Sequence, residues 1–357
     1  MYLSSLSLHH FRNYAKKTFA FKNGFTVVTG ENARGKTNIL EAISLLANGE
    51  SFRARRIEEM VQWEHEVGRA EGVVDDAQNN HNTLEVVVTT GLVQGERVQK
   101  RKFLVDGVSK RRKDFIGNLF AVTFRPEDLD LMTDGPSLRR AFLNTVLSQA
   151  SWEYRHALEL YEKALRRRNA LLDVLRDGQT TRASFPFWDQ LLIEHGSVLT
   201  NMRRSFVETI NSTSDFPLQF TVLYDSSVIS EKRLHQYAIE EVSAGHTLVG
   251  PHKDDFTVTL MERNIHSKTK DNHAKDIGIF GSRGEQRMAV LWLKIQEMEY
   301  LEKKKGVRPI LLLDDILSEL DEKHHHIALD LAEKQQTILT TADLDRRWKK
   351  NVEVMKL

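Results

Sequence analysis

The spacing of hydrophobic positions changes twice along the chain. In the first and last parts, short apolar runs predict buried β-strands at residues 25–29, 84–90, 120–124, 310–313 and 337–340. In between, apolar residues recur at three- and four-residue steps over 137–176 and 188–210, which predicts helices. The pattern therefore predicts an α/β lobe assembled from both ends of the chain, with an inserted helical arm. The expected boundaries are 1–127 and 216–357 for the lobe and 128–215 for the arm.

Composition excludes several classes of protein. The 357 residues are 40% hydrophobic and 28% charged, and none is a cysteine. Such a chain can bury a real core, but it has no disulfides, thiolate nucleophiles or Cys-ligated metals. The N-terminal residues lack a basic stretch followed by an apolar one, and no apolar run approaches the roughly 20 residues of a membrane span. We therefore expect a cytoplasmic protein with no membrane partner.

Charge is balanced overall but clustered locally. Lys and Arg number 51 against 50 Asp and Glu, yet the segment 97–113 contains eight basic residues and one acid, Asp106. Two interpretations stay open, a hairpin edge kept soluble by its charges and a surface that contacts a polyanion. Without a helix-turn-helix or zinc-finger pattern, contacts to backbone phosphates are expected rather than base readout. The candidate DNA-binding residues are Arg53, Arg55, Arg56, Lys100, Arg101, Lys102, Lys110, Arg111, Arg112 and Lys113.

A glycine-rich turn lies between the predicted strand 25–29 and an apolar helical pattern. Its sequence fits a phosphate-binding P-loop in the right context, whereas a plain glycine turn capping a helix is the less favoured alternative. Glycines let backbone N–H groups surround a phosphate, Lys36 places a charge on the terminal phosphates, and the Thr37 hydroxyl suits Mg²⁺. We predict ATP contacts from Gly30, Glu31, Asn32, Ala33, Arg34, Gly35, Lys36 and Thr37.

An acidic pair, Asp314 and Asp315, ends the predicted strand 310–313. Asp314 is the expected Mg²⁺ partner of Thr37, and Asp315 can orient and polarise an attacking water. With Lys36, these two carboxylates are the predicted catalytic residues of an ATPase. A solvated acidic turn at the end of a strand is the alternative.

A second turn of similar chemistry, 281–287, precedes the apolar helical run 288–293. A Ser-x-Gly turn at a helix start binds anions, and one chain does not need two such sites for one nucleotide. The order P-loop, Ser-x-Gly turn, Asp-Asp is that of ABC-type ATPases, in which two subunits enclose each ATP. We expect Ser282, Gly284 and Gln286 to contact ATP held by a second copy.

Further motifs resemble the RecF family over essentially the whole chain. They are Phe11-Arg12-Asn13-Tyr14, Ser51-Phe52-Arg53, Phe124-Arg125-Pro126-Glu127-Asp128, the run 136–143, Gly250-Pro251-His252-Lys253-Asp254-Asp255, and Ser318-Glu319-Leu320-Asp321, which is similar to a D-loop. The first motif adds Arg12 and Asn13 to the predicted ATP-binding residues.

The resemblance implies an ABC/SMC-like ATPase with ATP and Mg²⁺ as cofactors. Such proteins dimerise around two ATP molecules, bind duplex and gapped DNA in that state, and act with RecO and RecR to load RecA in recombinational repair. Their hydrolysis is slow and serves as a release switch. The alternative is a structural chromosome ATPase of the SMC type, but an insert of about ninety residues without sustained heptads does not supply its long arms.

Several positions depart from the family pattern. Ala33 stands where the family usually has Gly, so its backbone is expected to avoid positive φ. Lys253 replaces an Arg, and Asn144 stands where Asp is common. Glu127 and Asp128 occupy the place expected for a Q-loop glutamine. The segment 337–341 offers Thr hydroxyls where transporters of this class have a switch histidine.

Three other clusters have simple explanations. His324-His325-His326 is expected to be a solvated helix face and not a metal site, because consecutive helical residues point about 100° apart and cannot all face one ion. Arg166-Arg167-Arg168 is also expected to be solvated, with contact to DNA by the helical arm as the alternative. His252 is expected either to stabilise a turn or to couple ATP to the Ser-x-Gly half of the site.

Overall fold

The protein is described by a computed structural model covering residues 1–76, 80–212, 216–262, 273–316, 330–342 and 352–357. The predicted D-loop, Ser318 to Asp321, and the cluster His324 to His326 lie outside these residues. Among the described residues, no helix is long and apolar enough to cross a membrane.

The chain forms two compact units. Unit 1 comprises Met1–Leu129 and Leu293–Leu357, and unit 2 is Asp130–Trp292. The strands of unit 1 are β1 (Tyr2–Phe11), β2 (Tyr14–Ala20), β3 (Phe25–Thr29), β4 (Val67–Asp75), β5 (His81–Thr89), β6 (Leu92–Val93), β7 (Glu96–Arg97), β8 (Arg101–Val105), β9 (Val108–Lys110), β10 (Ala121–Phe124), β14 (Ile310–Asp314), β15 (Thr337–Thr341) and β16 (Glu353–Lys356). Within the described part of unit 1, the helices are α1 (Lys36–Asn48) and α2 (Arg112–Phe115).

Unit 2 combines helices with a small sheet. Its helices are α3 (Asp130–Thr133), α4 (Pro136–Ala150), α5 (Trp152–Arg176), α6 (Pro186–Asn211), α7 (Glu231–Gln236), α8 (Ala238–Ala244) and α9 (Ile277–Phe280). Its strands are β11 (Phe220–Asp225), β12 (Asp255–Glu262) and β13 (His273–Asp276). Helix α10 (Arg283–Lys305) begins in unit 2 and continues into unit 1.

Two sheets of unit 1 enclose its core. One is antiparallel, in the order β2-β1-β4-β5-β8-β9, and the other is parallel, in the order β10-β14-β15-β3-β16. Helix α1 contacts strands of both sheets, and every residue from Ile39 to Ala47 is buried. This burial on nearly all sides fixes the position of α1 between the two sheets, and with it the place where the preceding loop begins the helix.

The predicted helical run 137–176 is two helices. The Ser151 hydroxyl accepts a hydrogen bond from the Tyr154 N–H and caps the start of α5, directly after α4 ends. Serine at this position satisfies one of the unpaired N–H groups of a helix start, so the chain turns there without a proline.

Strands β11–β13 pack with the helices of unit 2. The Asn211 side chain, at the end of α6, bonds both the N–H and the C=O of Val222 in β11, each at 2.8 Å. Grouped by packing, unit 2 therefore ends at residue 292, whereas the sequence analysis expects the helical arm to end at residue 215.

Candidate functional site

The P-loop connects β3 to α1 through a backbone that needs left-handed conformations. Gly35 has φ of +101°, and a Cβ there would lie 2.6 Å from the Asn13 side-chain oxygen. Ala33 has φ of +65°, so the expectation that it avoids positive φ is wrong. The turn requires this conformation whether or not a glycine is present, and a non-glycine residue there costs about 1–2 kcal/mol.

Lys36 lies at the first turn of α1 with its ammonium group inside the loop. Its Nζ donates to the carbonyl oxygens of Gly30 at 2.6 Å and Glu31 at 3.0 Å. The partial positive charge of the helix N-terminus acts at the same place. The loop therefore gathers one full charge and several N–H groups, as a bound phosphate chain requires.

The start of α1 meets the carboxyl ends of the parallel strands β14 and β15. Three side chains come together there: Thr37 of α1, Asp314 of β14 and Thr340 of β15. The Thr37 hydroxyl lies 3.0 Å from the Asp314 carboxylate, and the Thr340 hydroxyl lies 2.6 Å from the same oxygen. Asp314 is 8% exposed. The sequence singled out 337–341 only as a segment with hydroxyls, because the pairing of β15 with β14 is what brings Thr340 to this carboxylate.

Asp315 follows with an unusual backbone. Its φ is +49°, and its N–H bonds to the carbonyl oxygen of Thr340 at 3.1 Å. A left-handed aspartate at the end of a buried strand is a strained position, and such positions cluster at functional sites. The strain turns an exposed carboxylate out of the strand and into the border of the cavity described below.

The opening motif, 11–14, supports the P-loop from the side. The Asn13 amide donates to the carbonyl of Arg34 and accepts from the Asn38 amide, while the Tyr14 hydroxyl donates to the carbonyl of Gly35. Burial raises the pKa of Tyr14 to about 12, so its hydroxyl keeps its proton. Tyr14 and Asn38 hold the loop through contacts that residue spacing does not reveal.

Arg12 is held by a buried carboxylate. Its guanidinium bonds both oxygens of Glu41, at 2.8 and 2.5 Å, and the carbonyl of Glu59 at 2.6 Å. Glu41 has no exposed side-chain surface and also accepts from the Ser51 hydroxyl. Arg12 also borders the cavity described below, but three of its donor directions are already used.

A cavity of about 1090 Å³ lies over these residues. The P-loop and the Asp314–Asp315 turn form one side, and the segment 58–63 forms another. Trp63 in this segment is 87% exposed and presents a flat aromatic face beside the site. Arg53, predicted as a DNA contact, also lines the cavity and bonds Asn38 at 3.2 Å.

The Ser-x-Gly turn begins α10 in unit 2. The Ser282 N–H donates to the Glu285 carboxylate at 2.7 Å, and the Glu285 N–H donates back to the Ser282 hydroxyl at 3.3 Å. These bonds to Ser282, together with Lys275, hold the pKa of Glu285 below its usual value. A Cβ on Gly284 would meet nothing within 4 Å. The turn is therefore preformed, exposed and able to donate the Ser282 hydroxyl proton outward. Gln286 instead donates to the carbonyl of Ile277.

The candidate DNA-binding residues divide into two groups. Arg101 and Arg112 donate to the carbonyls of Gly49 and Asn48 at the end of α1, and both lie near Glu50. Cations there stabilise the helix terminus. The others, apart from the half-buried Lys113, are exposed: Arg53, Arg55, Arg56, Lys100, Lys102, Lys110 and Arg111.

The motif 250–255 is a structural turn in unit 2. Thr247 and Tyr161 fix the His252 ring, since Nε2–H donates to the Thr247 carbonyl at 2.9 Å and the Tyr161 hydroxyl donates to Nδ1 at 2.7 Å. Burial lowers the pKa of His252 to about 4. Asp254 is fully buried against Arg203 at 2.7 Å. These contacts favour the turn-stabilising interpretation of His252.

Two further sequence expectations concern charged residues. The expectation that all of Arg166 to Arg168 are solvated is wrong, because Arg168 is 1% exposed and pairs with Asp189 and Glu241. Its position on the α5 face toward α6 and α8 explains the difference. At the expected Q-loop place, Asp128 is buried beside Arg125, within unit 1.

Comparison with known proteins places this geometry in a family. The family described as RecF/RecN/SMC N terminal domain matches residues 2–354. DNA replication and repair protein RecF of Halalkalibacterium halodurans is 34% identical over 368 residues, covering 97% of this chain and 94% of the relative. The RecF of Herpetosiphon aurantiacus is 34% identical over 385 residues, with the same coverage. A solved structure of the recombination mediator protein RecF-ATP in the RecFOR pathway aligns with a TM-score of 0.86 at 28% identity, covering 98% of this chain and 94% of that one.

Proposed function

This chain belongs to the RecF family of ABC-type ATPases in DNA replication and repair, and we propose that it is an ATP-switched DNA-binding protein of recombinational repair. In this proposal two copies enclose two ATP molecules, and the closed dimer binds duplex or gapped DNA. Slow, DNA-stimulated hydrolysis releases it. RecO, RecR and RecA are the expected partners, and the cytoplasm is the expected location.

The observation that carries the proposal is the convergence of Thr37, Asp314 and Thr340 beside the P-loop. A hydroxyl and a carboxylate oxygen 3.0 Å apart are hard oxygen ligands, which suits Mg²⁺. Thr37 and Asp314 would hold the ion, and the ion would screen the charge of the phosphates. The Thr340 hydroxyl fixes the orientation of the Asp314 carboxylate.

Phosphate binding and water activation fall to different residues. The N–H groups of the P-loop and the Lys36 ammonium bind the terminal phosphates of ATP. Asp315, exposed at the cavity border, orients the attacking water and accepts its proton. The Asp315 side chain is short. Thr340 and Thr341 are neutral, so the segment 337–341 adds no positive charge to that of Lys36. Both features suit a slow ATPase that acts as a switch.

Dimerisation completes the site in this proposal. The Ser282 hydroxyl and the N-terminus of α10 supply an exposed anion-binding turn, while the P-loop of the same chain already has its own helix N-terminus. When the Ser-x-Gly turn of one copy faces the P-loop of another, both anion-binding sites contact the same ATP. ATP then bridges the copies, whereas ADP lacks the γ-phosphate that reaches the second one.

The test measures mass and DNA binding together. Light-scattering mass and gapped-duplex binding are determined with ATP, with ADP and without nucleotide. We expect a dimer and tight DNA binding with ATP only. Ser282→Arg should bind ATP as a monomer, while Ser243→Arg, on an exposed face of α8, should dimerise normally. ATP-independent mass in the unmodified protein, or normal dimerisation of Ser282→Arg, would contradict the shared-site proposal.

A further inference from the structure

A line of basic side chains crosses the outer face of the six-stranded sheet. In the strand register, Lys16 of β2 lies opposite His9 of β1, and His9 lies opposite Arg69 of β4. Val87 of β5 stands opposite Arg69, and Lys102 of β8 stands opposite Val87. We call Lys16, His9, Arg69 and Lys102 the basic row. It spans four strand spacings, about 19 Å at ~4.8 Å each.

The basic row faces away from the core of unit 1. Its members alternate along their strands with the buried residues Leu8, Ala70 and Phe103, and adjacent strand residues point to opposite faces. The Lys and Arg members are exposed. His9 and Lys16 face each other in the β1–β2 hairpin, while Arg69 and Lys102 lie far away in sequence and join them through the strand register.

The three charged members of the row stand on alternate strands. His9 lies between Lys16 and Arg69, and Val87 lies between Arg69 and Lys102, so no two of these charges are directly opposite each other. Arg69 pairs with Glu85 at 3.2 Å, but Lys16 and Lys102 have no acidic partner within the described ranges. Two residues further along the strands, Glu71 lies opposite Glu85 and forms an acidic border on one side of the row. The arrangement is a narrow cationic line with a defined edge.

We propose that the basic row binds the phosphates of one strand of duplex DNA. This assignment rests on the proposed function and names the surface that carries it. One DNA strand advances 3.4 Å along the duplex axis per nucleotide, so a row of about 19 Å spans the axial length of roughly five to six nucleotides. The acidic border repels the other strand on its side and so sets the direction of the duplex.

Phosphate recognition fits the row better than a protein partner does. Stable protein interfaces are centred on large apolar or aromatic anchors in pockets. The row offers only Val87 between two cations, whereas phosphates need little beyond placed positive charge. Within the segment 97–113, the basic row includes Lys102. Arg101 and Arg112 do not belong to it, because they bond carbonyl oxygens at the end of α1.

The test removes charge from the row and from a matched neighbour. Fluorescence anisotropy with a duplex carrying a gap is measured in ATP at several salt concentrations for Lys16→Gln, Arg69→Gln, Lys102→Gln and the triple variant. The control is Lys17→Gln, which removes the same charge one residue away, where the register pairs it with the core residue Leu8. ATP binding and light-scattering mass are measured in parallel, with polyglutamate as an acidic polypeptide probe.

The triple variant is expected to bind DNA at least tenfold more weakly at low salt. Its slope of log affinity against log salt should fall by about 2.7, or ~0.9 for each lost phosphate contact. Lys17→Gln should match the unmodified protein, and ATP binding should be unchanged throughout. If the unmodified protein binds DNA and the triple variant has the same affinity and the same salt slope, the row does not bind DNA, while the proposed function stands. If the triple variant loses polyglutamate binding but keeps DNA binding, the row binds acidic polypeptide and the proposal is also wrong. A wild type that binds ATP but never DNA overturns both.

Discussion

Replacing Arg12 tests whether this residue acts on the nucleotide or on the fold. Arg12→Ala removes both charged bonds to Glu41 and leaves a carboxylate with no exposed surface, whose remaining side-chain partner among the described residues is the Ser51 hydroxyl. Breaking a buried ion pair from one side costs about 3–5 kcal/mol, because the remaining charge stays desolvated. We therefore expect unit 1 to open a hundredfold or more often, at about 1.4 kcal/mol per factor of ten.

Amide hydrogen exchange of α1 peptides, without nucleotide, measures this opening directly. Arg12→Met with Glu41→Met should restore much of the protection, since replacing both ions by apolar groups is often neutral. Arg34→Ala is the control, because its ion pair with Glu31 is exposed and such pairs contribute only about 0–1 kcal/mol. Unchanged exchange in Arg12→Ala together with a loss of ATP affinity would refute the reasoning and assign Arg12 to the phosphates.

Four further predictions follow from the site and from unit 2. Asp315→Asn should bind ATP but hydrolyse it far more slowly, which light scattering would detect as a dimer that persists after ATP is added once. Trp63→Ala should weaken ATP about tenfold by loss of base stacking, and leave inorganic tripolyphosphate binding unchanged in calorimetry. The pKa of His252, near 4 when folded against 6.5 in the free residue, means that unfolding takes up a proton between these values. The free energy of unfolding of unit 2, measured from urea curves, should therefore fall as the pH drops from 6.5 toward 4, by up to about 3 kcal/mol, and His252→Gln should remove this slope. Arg168→Met should destabilise unit 2 by about 3–5 kcal/mol because Glu241 stays buried, whereas Arg166→Met should have little effect on the same urea curve.

The short motifs of the candidate site could be located from the sequence alone. The P-loop, the acidic pair and the Ser-x-Gly turn each consist of consecutive residues whose side chains and backbone amides act together. The strands predicted at 25–29 and 310–313 were also readable, because a strand buried on both faces is rich in apolar residues. The helical run was predicted correctly in kind, although its division at Ser151 depends on one cap.

The tertiary structure decided the backbone conformation and the surroundings of individual residues in these segments. Ala33 adopts a positive φ because the loop must close over α1, and residue preference alone argued against it. Arg168 looked like its neighbours Arg166 and Arg167, yet the packing of α5 buries it beside two acids. Arg101 and Lys102 are adjacent in sequence but point to opposite faces of β8.

What the sequence determined by itself is therefore the chemistry of each short motif and the kind of element that carries it. Strand pairing decided the rest. Thr340 reaches Asp314 because β15 lies beside β14, and Lys16 joins Lys102 in one row because five strands align in register. The physical reason is range: a turn or a periodic pattern acts over a few residues, whereas register couples residues that no local pattern links.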